Sequence, residues 1–367
     1  MRVDCKKDQL QKALDLAAHI ASRTHSLPVL QCVKIETFKD NTFKISATNL
    51  EIGIVVTGEA KVSEPGIVTV PAQLLLQTVS LISQPTISLE LENEVLLVVT
   101  KNSKTKIKTL KSDEFPIIPT LTKKSTVIDG KTLSHALKSV LFATSLSSIK
   151  PELGCVNIHQ KTAHTLTTVA TDSFRLAEKT VSLHQFTLEG TLLVPQKNAA
   201  EFVRVLDTLN ENPEFIHDDN QLALSFPSGV YIVTRLVEGN FPDYQQIIPK
   251  EYQTHATVLL GDFLHALKKT NIFTNKFLQV GLTIDSSRKC IELKSENTEA
   301  GATEEPISAS IDGNDLSLSF NQRYLAESLS QFSDDSIELS FAGIGRPLVI
   351  KGVSDSTFRY LVMPMNK

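Results

Sequence analysis

A chain that repeats one unit of roughly 120 residues three times has few folds open to it, because each unit needs its own core and faces that suit its neighbours. Three series of landmarks carry the repeat. A strand running into a polar turn reads ATNLEIGI from Ala47, ATDSFRLA from Ala170 and SENTEAGA from Ser295, which sets Asn49, Asp172 and Asn297 at steps of 123 and 125 residues. A strand entering a helix reads Val70-Pro71, Val194-Pro195 and Phe320-Asn321, at steps of 124 and 126 residues. A closing strand ends at Phe115-Pro116, at Phe241-Pro242 and, more weakly, at Met363-Pro364. Three parallel series with one step point to a scaffold architecture.

Each unit reads in the same order. Leu10, Ala13, Leu14, Ala17 and Ala18 recur at helical spacing over Asp8–Ile20, with counterparts at Leu133, Ala136, Leu137, Val140 and Leu141, and at Phe263, Leu264, Ala266 and Leu267. Several strands follow, then a second helix that proline opens in two units, where its missing N–H is no loss. Hairpins close the unit: Thr86 to Val99 turns at Glu92, Asn93 and Glu94, and Ile337 to Ile350 turns at Gly343 and Gly345. The expected class is α+β, with two helices packed on a largely antiparallel sheet in each of three copies, 1–122, 126–248 and 253–367.

At 367 residues the chain suits two or three cores. No basic start precedes an apolar run and no apolar stretch reaches membrane-spanning length, so neither a secretory signal nor a membrane partner is expected. Cys5, Cys32, Cys155 and Cys290 stand singly, which reads as reduced core or strand residues in a cytoplasmic protein, with no metal site. The net charge of −4 does not advertise a nucleic-acid partner, so any such binding needs basic residues gathered on one surface. Lys6, Lys7 and Lys12, then Lys131 and Lys138, then Lys268 and Lys269 lie on or beside the first helices, and Lys197, Arg204 and Arg323 on the second. Lysines spread over a face suit phosphate contact without base reading. Ordinary solvated helix faces carry the same residues.

Signatures of catalysis are missing. There is no phosphate-binding loop, no GxGxxG between strand and helix, no HExxH and no GxSxG elbow. His159 and His164 flank an expected turn. Asp172 with Arg175 could be argued as a catalytic pair, yet Asn49 with Glu51 stands at the same place in the first unit, so a recurring structural turn accounts for it better.

Taken together, VATDSFRLA (Val169 to Ala177), FPDYQQIIP (Phe241 to Pro249), SLPVL (Ser26 to Leu30) and the ending YLVMPMNK resemble the bacterial DNA polymerase III beta subunit, the sliding-clamp family, over the whole chain. The resemblance implies a non-catalytic processivity factor without cofactors. It implies a head-to-tail homodimer, a ring of six domains around duplex DNA that binds it without regard to sequence. Candidate ring-closing residues are Lys104, Lys106, Ile107 and Lys108 in the first copy and Ile272, Phe273, Glu299 and Glu304 in the third, with Ile107 expected to meet Ile272 or Phe273. The implied second site is an apolar pocket for short linear peptides of the polymerase III alpha subunit, the clamp loader, other polymerases and repair proteins. Carried over residue by residue, it comprises Leu153, Thr171, Ser173, Phe174, Arg175, Leu176, Pro242, Gln246, Ile247, Phe277, Asn321, Tyr324, Pro347, Leu361, Met363, Pro364 and Met365. Two of the three methionines lie in the last five residues, and flexible thioethers suit a surface that accepts varied peptides. For DNA the implied residues are Arg23, Lys150 and Lys197, beside Lys12, Lys138, Arg204, Lys268 and Arg323 on the helices. Ser173-Phe174 stands where the family often has Gly-His, and Gln246 where it has a basic residue, so the pocket rim is less basic here.

Two other readings remain open on sequence. A three-unit scaffold that never closes would be monomeric and retain no DNA. A hydrolase using Asp172 would lose activity on Asp172→Asn with its fold intact.

Overall fold

A computed structural model describes residues 1–21, 27–123, 125–147, 149–184 and 186–365. The first copy runs β1 (Arg2–Lys6), α1 (Lys7–Ile20), β2 (Cys32–Thr37), β3 (Thr42–Thr48), β4 (Ile52–Glu59), β5 (Lys61–Glu64), β6 (Gly66–Pro71), α2 (Ala72–Ser80), β7 (Thr86–Glu92), β8 (Val95–Val99) and β9 (Lys104–Lys108). The second repeats that order without the β5 equivalent: β10 (Ser125–Val127), α3 (Gly130–Leu141), β11 (Cys155–His159), β12 (Thr165–Thr171), β13 (Arg175–Ser182), β14 (Thr191–Pro195), α4 (Gln196–Leu209), β15 (Glu214–His217), β16 (Gln221–Ser225) and β17 (Val230–Arg235). The third is β18 (Thr254–Leu259), α5 (Leu260–Asn271), β19 (Gln279–Asp285), β20 (Cys290–Asn297), β21 (Gly301–Gly313), β22 (Leu316–Asn321), α6 (Gln322–Leu329), β23 (Ser336–Phe341), β24 (Leu348–Gly352) and β25 (Phe358–Val362). Two helices on antiparallel strands therefore recur three times, as the landmarks imply.

Local chemistry repeats with the elements. In the first copy Asn49 Oδ1 accepts from the N–H groups of Glu51 and Ile52 at 3.0 and 2.9 Å, and Leu50 takes a φ of +77°. In the second, Asp172 Oδ1 accepts from Phe174 and Arg175 at 2.9 and 3.0 Å, and Ser173 takes a φ of +78°. In the third, Asn297 Oδ1 accepts from Glu299 at 2.9 Å. A short polar side chain that bonds its own following backbone is what such a turn needs. The proline at the second helix differs from expectation: Pro71 caps α2 and ends β6 opposite Cys32, so it closes a strand and is not in the first helical turn. Its missing N–H costs nothing there because β6 is an edge strand. Asn321, its counterpart, caps α6 with its side chain, accepting from Arg323 N at 3.0 Å.

The chain forms two compact units, 1–134 with 200–236, and 135–199 with 237–367. In the first, an eight-stranded sheet has the order β10-β15-β16-β17-β4-β3-β2-β6, beside a five-stranded sheet β5-β1-β7-β8-β9. The eight-stranded sheet is continuous because β4 of one copy pairs antiparallel with β17 of the next, Ile52 opposite Thr234. The second unit holds a twelve-stranded sheet in which β13 pairs with β25 in the same manner, Arg175 opposite Val362. A connecting segment covers each seam: Ile118 and Leu121 pack on Ile216, Ala223 and Val233 in the first, and Phe241, Tyr244 and Ile248 on Val169, Leu176, Val349 and Leu361 in the second. Gly53 permits the first packing, since a Cβ there would stand 2.9 Å from Ile118. Burying apolar side chains at about 25 cal/mol per Å² makes these seams as much a core as the copies themselves.

All four cysteines are buried, and burial pushes the thiols of Cys5 and Cys155 up to about 12 and that of Cys32 up to about 11. Cys5, Cys32 and Cys155 are unreactive fillers at neutral pH.

The second seam is also pinned by Lys179, which reaches Asp355 Oδ2 at 2.9 Å and Thr357 Oγ1 at 2.7 Å. Burial raises the Asp355 carboxyl, but the Thr357 hydroxyl and Lys179 outweigh it and hold the group at about 2, below its ordinary 3.8. A carboxyl depressed on folding stabilises above its unfolded value, and that contribution disappears as pH falls from about 4 towards 2. Because Asp355 is a third exposed, screening reduces the contribution to roughly 1 kcal/mol. Asp355→Asn should therefore lower the urea midpoint at pH 7 and match the parent chain near pH 2. An equal deficit at both pH values would remove the ion pair from the account.

Candidate functional site

Arg175 organises the region where the expected pocket residues meet. It opens β13 directly after the Asp172 turn, so its side chain is aimed by the turn and by the pairing of β13 with β25. Although only 8% exposed, it satisfies its charge fully. Its Nε donates to Asp172 Oδ2 at 3.0 Å, Nη1 to Glu327 Oε2 at 2.5 Å, and Nη2 to the carbonyl of Phe142 at 2.7 Å. The guanidinium lies 4.3 Å from the centre of the Tyr324 ring and 5.5 Å from that of Phe142. A buried charge is tolerable only when its partners are this complete. Arg175 is therefore a structural clamp across the seam, and Asp172 serves the turn and that clamp.

Several expected pocket residues are joined around it. Met363 N donates to the Phe174 carbonyl at 2.8 Å, which lays the chain end along the turn. Leu176 stands opposite Leu361, and both belong to the apolar cluster under Tyr244. Thr171 Oγ1 donates to the Arg175 carbonyl at 2.6 Å. Tyr360, buried, donates to the Tyr324 carbonyl at 2.8 Å. Above this satisfied floor the large side chains are open: Phe174 is 61% exposed, and Ile247, Phe277 and Met363 are exposed as well. Ser173 occupies the left-handed position of the turn. Leu153 is buried in the 3-10 turn ahead of β11, Pro242, Gln246 and Ile247 lie on the segment following β17, and Pro347 precedes β24. Gln246 Nε2 donates to Asp243 Oδ2 at 2.8 Å, so an amide bound to an exposed carboxylate stands at the rim there. Met365 N donates to Ser319 O at 2.7 Å, and Pro364 and Met365 are half-buried; Ser319 lies on β22, the strand that leads into Asn321 and α6, where Tyr324 stands. Phe277 edges a polar cleft of about 800 Å³ lined by Gln279, Thr283, Lys294, Ser317 and Ser319. A hydrogen-bonded floor with exposed apolar side chains above it has the chemistry to suit an extended peptide with large apolar residues.

Sequence reading missed Phe142, Glu327 and Tyr360. A usable signal was present: an arginine opening a strand, directly before Leu176 and Ala177, demands a carboxylate and an acceptor nearby.

The basic residues are less uniform than expected. Lys12, Lys138, Lys197 and Lys268 are exposed on α1, α3, α4 and α5, and Lys150 is exposed just ahead of the 3-10 turn that leads to β11. Arg204 pairs with Glu201 at 2.7 Å and donates to the Leu16 carbonyl at 3.0 Å, fixing α4 on α1. Arg323 pairs with Glu327 at 2.6 Å, beside the clamp. Asp8, Asp15, Asp207 and Asp262 are exposed on these helices too, so the faces carry both signs. Arg23 lies outside the described residues. At the candidate ring-closing positions, Lys104, Lys106 and Lys108 are exposed on β9, while Ile107 is only 2% exposed and faces the core. Ile272 and Glu299 are exposed and Phe273 half-buried. Glu304 already meets Lys294 at 2.6 Å.

Comparison with known proteins agrees with this layout in order and extent. Family models of the DNA polymerase III beta subunit match its N-terminal domain at residues 1–119, its central domain at 127–243 and its C-terminal domain at 245–366. The chain belongs to the DNA polymerase III beta subunit family. Beta sliding clamps of Staphylococcus epidermidis and Staphylococcus aureus are each 24% identical, over 100% of this chain and 99% of theirs. The crystal structure of the DNA polymerase III beta subunit from Thermotoga maritima is 26% identical with a TM-score of 0.93, covering 100% of this chain and 99% of that one. The Bacillus subtilis DNA polymerase sliding clamp, 24% identical with a TM-score of 0.94 and the same coverage, has the same fold. Within this family the three α+β copies are clamp domains, and the chain is a sliding clamp. No helix among the described residues is long and apolar enough to cross a membrane.

Proposed function

We propose that the chain closes head to tail with a second copy into a six-domain ring that encircles duplex DNA, as a cytoplasmic processivity factor without catalysis. In this reading the copies run 1–122, 126–248 and 253–367. The observation that carries it is the pair of seams: β4 with β17 and β13 with β25 join consecutive copies edge to edge. The same rule leaves one unmatched half-seam in the first copy and one in the third: β9, which ends its sheet, and residues 301–308 of β21, which pair with β20 while residues 309–313 pair with β18. Open edges of this kind invite pairing, and a head-to-tail contact closes when its rotation permits. Three copies per chain then make six from two chains.

DNA is held in this reading by Lys12, Lys138, Lys197, Lys268 and Lys150; Arg23, also assigned to DNA from the resemblance, lies outside the described residues. Flexible point charges contact phosphates without reading bases, which lets a ring slide. The region around Phe174, Ile247, Phe277, Met363 and Met365 captures short linear peptides of the polymerase III alpha subunit, the clamp loader, other polymerases and repair proteins.

Retention on DNA tests the ring. The loaded protein should stay on a closed circle and run off after linearisation; equal loss from both would end the reading. Lys12→Glu with Lys138→Glu and Lys268→Glu should weaken binding and flatten its salt dependence, since each phosphate contact contributes about one unit to the slope of log affinity against log salt.

A further inference from the structure

We propose that the first seam carries a binding site of its own: a cleft of about 390 Å³ that takes a tyrosine or phenylalanine side chain from a peptide turn with an acidic residue beside the ring. The site is separate from the region around Phe174, and it stands whether or not two chains close a ring.

Both seams are built on one frame, and their bonds fix the equivalence. Arg235 N donates to Glu51 O and Met363 N to Phe174 O, each at 2.8 Å. Thr57 N donates to Gly229 O at 3.0 Å and Thr180 N to Thr357 O at 2.9 Å. The connecting segments then differ in length. The first reads Phe115-Pro116-Ile117-Ile118-Pro119; the second holds Asp243-Tyr244-Gln245-Gln246 between Phe241-Pro242 and Ile247-Ile248-Pro249. Most of a 3-10 turn, Tyr244–Ile247, is therefore missing from the first seam.

Tyr244 fills the ground which that turn covers. It is 6% exposed and belongs to one apolar cluster with Val169, Leu176, Val349 and Leu361. Its hydroxyl lies 3.4 Å from His159 Nε2, beside Glu178. By register the counterparts of the four apolar residues are Ser46, Gly53, Ala223 and Val233. Every one of them is smaller. Ile118 covers Gly53, yet a cleft stays open between Lys34, Lys44, Val55, Phe115, Pro116 and Tyr231. Val55 stands where Glu178 does and is only half-buried. The chain thus displays in its second seam the group that its first seam lacks, an aromatic ring on a short turn. Such a ring is the most favourable single side chain to bury in a cleft with apolar walls.

Charge narrows the ligand further. Lys161 Nζ lies 5.5 Å from the centre of the Tyr244 ring, so a cation already accompanies the ring in the second seam. In the first, Lys34 pairs with Glu36 at 3.1 Å, while Lys44 is exposed and makes no ion pair among the described residues. An acidic residue next to the guest ring, placed as Asp243 is beside Tyr244, meets Lys44.

A capped peptide with the sequence of residues 242–246, Pro-Asp-Tyr-Gln-Gln, tests the site on the full chain by titration calorimetry. Half-saturation should fall below about 1 mM, and alanine in place of the peptide's tyrosine should weaken binding at least about tenfold. Val55→Lys should abolish binding with an unchanged unfolding midpoint. Lys44→Glu should weaken it at least about fivefold, and lysine in place of the peptide's aspartate should restore it. A benzophenone in place of the tyrosine ring should, on irradiation, attach within residues 34–57, 115–120 or 229–231. Insertion of Asp-Tyr-Gln-Gln between Pro116 and Ile117 should fill the cleft from within and block the peptide. No binding at 5-fold that concentration, attachment elsewhere, or affinity unaltered by both Val55→Lys and Lys44→Glu would overturn the site. Undiminished binding to a folded insertion variant would overturn the equivalence on which the choice of ligand rests.

Discussion

Arg175→Ala is expected to destabilise the chain by roughly 3 kcal/mol, because removing one partner of a buried ionic cluster strands the others. The guanidinium bonds Asp172, Glu327 and the Phe142 carbonyl and stacks on Tyr324. Truncation leaves a void between two rings, a carboxylate with no cation at the end of a turn, and a carbonyl without a donor. Glu327 keeps Arg323, so its charge is not wholly orphaned. The denaturant midpoint should fall well below that of Glu327→Gln, which removes one anion and leaves the cation bonded to Asp172. The same variant should lose peptide binding, since Phe174 and Tyr324 would no longer rest on a fixed floor. A midpoint within about 0.5 kcal/mol of the parent would mean that water replaces the cluster without loss, against its burial.

Gly313→Ala should cost a comparable amount, roughly 3 kcal/mol, for a reason of backbone rather than charge. Gly313 ends β21 with a φ of +119°, and a Cβ there would run into the Gln253 carbonyl oxygen and stand 2.7 Å from Thr254 Cα. Both are main-chain atoms of the strand that pairs with it, Thr254 opposite Gly313, so neither can step aside without opening the ladder. The Thr254 hydroxyl further ties the corner by donating to Asn314 O at 2.9 Å. Gly345→Ala is the control: its φ is +72° but nothing lies within 4 Å of the added carbon. That change should cost only about 1 kcal/mol, the ordinary penalty for a side chain in the left-handed region. If thermal denaturation showed the two variants equally stable, the steric account of the β21 corner would fail.

Much of the fold was legible in particular residues. The apolar spacing of Leu10, Ala13, Leu14 and Ala17 marked α1, because a helix needs one continuous apolar stripe to bury. The polar turn was visible at Asn49, Asp172 and Asn297, because only a short side chain with a carbonyl or carboxylate oxygen can bond the backbone two and three residues on. The edge role of Pro71 was not legible, since a proline ending a strand and one opening a helix read alike in sequence. The candidate pocket was legible only in part. Phe174, Leu361 and Met363 were assigned from motif resemblance, but the supports of Arg175 lie 33 and 152 residues away at Phe142 and Glu327, beyond the reach of any local pattern.

The amino-acid sequence by itself determined that one α+β unit recurs three times and which stretches form its first helices and the two hairpins, because those depend on neighbours a few residues apart. Tertiary structure alone decided how consecutive copies join: which edge meets which, in what register, and that a buried arginine clamps the second seam. Strand edges are alike in sequence, and pairing is chosen by side chains brought together from distant parts of the chain.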